Sequence, residues 1–165
     1  MPTTLLPYCG VSAKDTGYGC NGETAYLAGL NNKERKVKGM TRETINAKNA
    51  PAAVGPYVHA VKAGDFVFTS GQLGLDPVTG ALPEGVTAQA EQAIKNIAEV
   101  LKEAGLTLAD VVKTTVFLAD INDFAAINEV YSKFFTGEAP ARSCVQAAAL
   151  PKGGLFEIEV VAVCR

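Results

Sequence analysis

The chain has 165 residues, 48% of them hydrophobic and 19% charged, with a formal net charge of −2. That length suits one domain with a genuine apolar core, and the slightly negative balance excludes binding of nucleic acid or anionic membranes through bulk charge. No apolar run approaches the roughly eighteen residues of a membrane span, and the N-terminus lacks the charged start and apolar core of a signal peptide, so a soluble cytoplasmic protein is expected.

In chain order, residues 1–39 show no sustained period of 2 or 3.6 and end in a charged, linker-like stretch, Asn31 to Gly39. An organised α/β pattern starts directly after Met40. The expectation is that residues 1–39 are an upstream addition and 40–165 the folded domain; a genuine N-terminal extension is the alternative.

Thr41 to Ala47 reads as a short edge strand, and Pro51 to Pro56 as a stiff loop. Tyr57–Lys62 and Asp65–Ser70 read as strands joined by a tight turn at Ala63-Gly64, with Gly71-Gln72 ending the second. Leu75 to Gly85 is punctuated by Pro77, Gly80 and Pro83 and reads as loop. Ala90, Ala93, Ile94, Ile97, Ala98, Leu101 and Ala104 recur at helical spacing, with Thr87 as N-cap and Gly105 as stop.

Asp110 to Ala119 is rich in β-branched residues and reads as a long strand. A second helix starts near Asn122 or Asp123 and buries Phe124, Ile127, Val130, Tyr131 and Phe134, closing at Gly137. Strands at Ala141–Ala148 and Phe156–Val163 follow. The order ββ-α-β-α-ββ, with an optional leading strand, predicts a mixed sheet with both helices on one face. The other face then needs cover, and oligomerisation supplies it, with sites at the seams between subunits.

Two strands carry candidate chemistry. On Ala141–Ala148, alternation puts Arg142, Cys144 and Gln146 on one face and Ser143 and Val145 on the other. If Val145 faces the helices, Arg142 lies on the side that needs a partner. Its planar fork binds carboxylates bidentately; a structural ion pair across a subunit seam is the competing reading. On the last strand, Glu157 and Glu159 share the face opposite Phe156, Ile158, Val160 and Ala162. A partly enclosed carboxylate there can move protons, or both glutamates pair with cations.

Other residues carry weaker signals. Ser70 offers a hydroxyl and Gly71 close backbone approach at a strand end, where plain turn chemistry is the alternative. Tyr57 follows a rigid Gly-Pro. Cys144 reads as packing before nucleophile, and the single histidine, His59, as a satisfied structural residue in mid-strand. One histidine and no C-x-x-C pair among Cys9, Cys20, Cys144 and Cys164 argue against zinc. The same shortage removes the parts for a Ser-His-Asp relay.

Taken together, Ala50-Pro-Ala-Ala-Val-Gly-Pro-Tyr57, Thr69-Ser-Gly-Gln72, Val112-Lys-Thr-Thr-Val-Phe117, Asn122-Asp-Phe124, Asn128-Glu-Val-Tyr131, Pro140-Ala-Arg-Ser-Cys-Val145 and Glu157-Ile-Glu159 resemble the RidA/YjgF/UK114 family in order and across residues 41–165. The resemblance implies a chorismate-mutase-like α/β fold in a homotrimer with clefts between subunits. It implies 2-iminobutanoate/2-iminopropanoate deaminase activity without metal or cofactor, acting on small imino and enamino acids. It further implies that Arg142 binds the substrate carboxylate, that Glu157 handles the attacking water, and that Tyr57, Ser70, Gly71, Asn128 and Cys144 line the pocket. Relatives described as ribonucleases, translation inhibitors, chaperone-like proteins or ligand sensors define the rival functions; the negative charge and single histidine weigh against a nuclease.

Overall fold

The computed structural model describes residues 42–53 and 55–164; the expectations for residues 1–39, Cys9 and Cys20 included, lie outside them. The elements run β1 (Arg42–Ile45), β2 (Ala60–Ala63), β3 (Phe66–Thr69), β4 (Gln72–Leu73), α1 (Val86–Glu103), β5 (Val111–Leu118), α2 (Phe124–Phe134), β6 (Ala141–Gln146) and β7 (Phe156–Val163). The strands form one mixed sheet in the order β1-β2-β3-β7-β5-β6, with β4 also on β7. Only β5 and β6 run parallel, as their connection through α2 requires; the other described pairs are antiparallel.

Period-2 alternation along β7 buries Phe156, Ile158, Val160 and Ala162 beneath the helices, joined by Val67 of β3 and Val116 and Leu118 of β5. Each large side chain so buried contributes about 1.5–3 kcal/mol. Helix α1 lays Ala90, Ala93, Ile94, Ile97, Val100 and Leu101 onto this layer and packs beside α2, so both helices share one face as expected. The opposite sheet face carries Phe66 (44% exposed) and Phe68 (47% exposed), with no layer of described residues over it.

Several boundaries differ from expectation for local reasons. The N-cap of α1 is Gly85, not Thr87, because the backbone there takes φ 82°, which glycine tolerates and a β-branched residue does not. At the other end Gly105 does stop the helix, at φ 73°. The second helix closes at Phe135, two residues before Gly137, and is preceded by a 3-10 turn, Ile121–Asp123, capped by the Asp120 side chain. His59 lies just before β2 rather than in mid-strand.

That histidine is nonetheless structural. It is buried, its Nδ1 accepts from the Ala47 amide at 3.0 Å, and its Nε2 donates to the Pro51 carbonyl at 2.8 Å. Both ring nitrogens are used, which pins the loop leading from β1.

Candidate functional site

Strands β3 and β4 are two parts of one line along β7, interrupted by a bulge. Phe68 pairs with Val161 and Gln72 with Ile158, so one strand advances a residue further than its partner. Thr69 fills the interrupted ladder: its Oγ1 accepts from the Val160 amide at 2.9 Å and donates to the Val160 carbonyl at 3.4 Å. The irregularity brings the Gly71 backbone against the Glu157 side chain. A Cβ on Gly71 would sit 2.9 Å from the Glu157 carboxyl carbon, with the carboxylate oxygen closer still. Glycine permits this close approach, and a side chain here would displace the Glu157 carboxylate rather than any backbone.

Glu157 and Gly71 line a cleft of about 200 Å³ together with Pro51, Ala52, Tyr57, Gln72, Leu73, Leu75, Pro151 and Lys152. Most of that wall is apolar, so Glu157 is half-buried and its pKa is raised, first by loss of solvation and second by the like charge of Glu159. The ion pairs of the described residues join Lys95 to Glu91 and Lys102 to Glu99 along α1, so neither glutamate of β7 takes part. Asn96, 1% exposed, holds the cleft wall by donating its Nδ2 to the Leu73 and Leu75 carbonyls at 3.0 and 2.9 Å. Lys152 adopts the left-handed backbone at φ 56°, a conformation that costs a non-glycine residue energy.

Arg142 is elsewhere. The expectation that Val145 faces the helices is wrong: Val145 is 47% exposed on the open face, whereas Arg142 and Cys144 point to the helix side of β6. The register explains it, because Arg142 pairs with Thr114 and Cys144 with Val116, both buried under the helices. β6 is an edge strand that the helix layer covers only in part, so a charged residue on its inner face still reaches solvent.

There α2 forms a cradle for the guanidinium. Phe124, Asn128 and Tyr131 stand at i, i+4 and i+7, one stripe of the helix. The Nη2 of Arg142 donates to Asn128 Oδ1 at 2.7 Å, and its Cζ lies 4.6 Å from the Tyr131 ring centroid and 5.3 Å from that of Phe124. Each ring contact contributes about 0.5–2 kcal/mol. The adjacent Cys144 thiol is pushed up by burial, opposed by the Arg142 charge, so it is a poor nucleophile.

Of the residues expected in one pocket, the chain therefore gathers Tyr57, Gly71 and Glu157 in the cleft, and Arg142, Asn128 and Cys144 beside α2. Ser70 is outside the cleft wall, its Oγ donating to the Val58 carbonyl at 2.7 Å. Sequence reasoning missed Leu73, Leu75, Pro151 and Lys152, which are spread over distant segments. It also assigned Phe124 and Tyr131 to the core alone, although their spacing with Asn128 was visible. Among the described residues no three His, Cys, Asp or Glu side chains come together to hold a metal ion, and no helix is long and apolar enough to cross a membrane.

Residues 47–164 match the family described as Endoribonuclease L-PSP. The curated 2-iminobutanoate/2-iminopropanoate deaminase of Salmonella typhimurium is 52% identical over 126 residues, 74% of this chain and 98% of that one. Its mouse namesake is 50% identical over 128 residues, 77% of this chain and 95% of that one. Among solved structures, the YjgF gene product of E. coli superposes with a TM-score of 0.72 at 49% identity, across 74% of this chain and 99% of that one. E. coli TdcF with bound serine gives 0.72 at 47%, with the same coverage of 74% and 99%. The chain belongs to the Endoribonuclease L-PSP family, the family of RidA and YjgF that its motifs resemble.

Proposed function

We propose that the protein is a 2-iminobutanoate/2-iminopropanoate deaminase that works in the cytoplasm without metal or cofactor, as a homotrimer of chorismate-mutase-like subunits. The observation that carries this reading is the state of Arg142: a half-buried guanidinium held by a neutral amide oxygen and two rings, and ion-paired to no carboxylate of the described residues. A fork so arranged is set for an anionic guest. Relatives at about half identity bear the deaminase name, and one solved relative holds serine, itself a small carboxylate.

Within one chain the cleft with Glu157 opens on the sheet face away from Arg142, so the two halves meet only when a second copy docks. The exposed Phe66 and Phe68 on that face favour such docking. In the assembled site Arg142 of one subunit binds the imino acid's carboxylate, with Asn128 and Cys144 around it. The cleft of the neighbour, with Tyr57, Ser70 and Gly71 at or beside its wall, supplies Glu157.

The carboxylate of Glu157 takes a proton from water as the water oxygen bonds to the imine carbon. The proton then passes to nitrogen, and as the carbon–nitrogen bond breaks the hydroxyl of the carbinolamine gives its proton back to Glu157 and becomes the ketone oxygen, so that the 2-oxo acid and ammonia leave. Enamine forms enter by tautomerising to the imine. Orientation is the chief service for so reactive a substrate.

The test generates 2-aminoacrylate or 2-aminocrotonate with a dehydratase and traps it with semicarbazide. Added protein suppresses adduct formation, and Arg142→Ala removes the suppression. A wild-type protein without effect would overturn the reading in favour of a carboxylate-binding sensor.

A further inference from the structure

The deaminase reading assigns Arg142 to the substrate carboxylate; what holds that guanidinium in plane is a separate matter, and the fold answers it with Tyr131. The ring of Tyr131 lies under the guanidinium, 4.6 Å from its central carbon. Its hydroxyl is 2.9 Å from Thr114 Oγ1, and its ring stacks on Phe135 with centroids 4.3 Å apart. Thr114, fully buried, is the residue paired with Arg142 across the parallel β5–β6 ladder. A closed circuit results: Thr114 neighbours the arginine backbone, ties down the tyrosine, and the tyrosine carries the arginine's head group.

We propose that Tyr131, anchored by Thr114, is a positioning residue that presents the Arg142 fork to the ligand's carboxylate. Neither member of the Tyr131–Thr114 pair touches the reacting atoms. A free arginine head on an edge strand samples many rotamers, and ordering it on ligand binding costs affinity. A ring held by its stack on Phe135 and by its hydroxyl removes most of that freedom beforehand. Asn128 adds a single directional bond, at one nitrogen only, and Phe124 lies farther off at 5.3 Å, so Tyr131 is the nearer support of the head group. The inference rests on Arg142 binding carboxylate, and requires no turnover.

The experiment therefore reads equilibrium binding of 2-oxobutanoate by titration calorimetry, with the full chain. Tyr131→Leu weakens binding about tenfold, the scale of one desolvated cation–ring contact, whereas Tyr131→Phe retains most of the affinity. In an Arg142→Ala background Tyr131→Leu has no further effect. Tyr131→Leu also removes a buried ring, so a second series guards against misfolding: phenylalanine, then its trifluoro and pentafluoro analogues, at position 131 with Thr114→Val to leave no orphaned hydroxyl.

Fluorination keeps ring size and drains the negative face, and the dissociation constant rises stepwise with it. A flat fluorination series, or an equal effect of Tyr131→Leu with and without Arg142, overturns the proposal. Failure of the deaminase reading has a different signature: binding that depends on Arg142 and Tyr131, with no suppression of semicarbazide adducts.

Discussion

Arg142 and Glu157 point away from opposite faces of one sheet, Arg142 towards α2 beside Thr114 and Glu157 away from the helices beside Phe117. A single chain cannot close both on one small molecule. Arg142→Ala and Glu157→Gln proteins should each be inactive, yet regain activity when mixed under conditions of subunit exchange. With the site shared between subunits as proposed, statistical mixing leaves roughly one quarter of the sites with both groups intact. The semicarbazide assay before and after mixing checks this; mixtures that stay inactive despite demonstrated exchange would place both groups in one subunit.

Gly71 is the residue that lets the Glu157 carboxylate lie where it does. Gly71→Ala forces the glutamate aside while leaving the core untouched. The expected loss is about 10²-fold in kcat/KM, the scale of a displaced general base, with little change in Tm. Steady-state kinetics beside thermal denaturation separate the two. A fully active Gly71→Ala protein would remove Glu157 from the chemistry.

Burial, and after it Glu159, raises the pKa of Glu157 above its ordinary 4.5. A base must be ionised to act, so activity falls as the pH drops through that raised value, and the acid limb lies above the ordinary 4.5. Glu159→Gln removes one of the two raising causes, and the limb then moves to lower pH. Profiles of kcat/KM against pH at constant ionic strength test the sign. A limb that stays in place, or moves up, contradicts the coupling.

Asn96 reaches out of α1 to cap the Leu73 and Leu75 carbonyls, and accepts from Gln92 Nε2 at 2.9 Å. Asn96→Leu keeps the size and takes this donor from the buried Leu75 carbonyl and the part-buried Leu73 carbonyl, at about 1–3 kcal/mol for the buried one. Urea unfolding should show that loss. The same variant loosens the cleft wall, so KM rises as well. Unchanged stability would mean that the carbonyls find other donors.

Much of this architecture is legible in the chain alone, because periodicity is a local property. The alternation of Phe156 to Val163 and the helical recurrence from Ala90 to Leu101 each name a buried side without reference to anything distant. The run of Pro-Ala-Arg-Ser-Cys-Val and its companions likewise marks the family from spelling alone.

What only the tertiary structure decided is which way β6 faces. Its alternation is ambiguous, since Arg142 and Cys144 on one side and Ser143 and Val145 on the other offer no clean contrast of polar and apolar. The answer came from register with β5, a non-local hydrogen-bond pattern that puts Arg142 beside buried Thr114. The bulge that presses Gly71 against Glu157, and the Thr114–Tyr131 bond beneath the guanidinium, also join segments far apart in the chain. Sequence states what a side chain wants; long-range pairing determines what it meets.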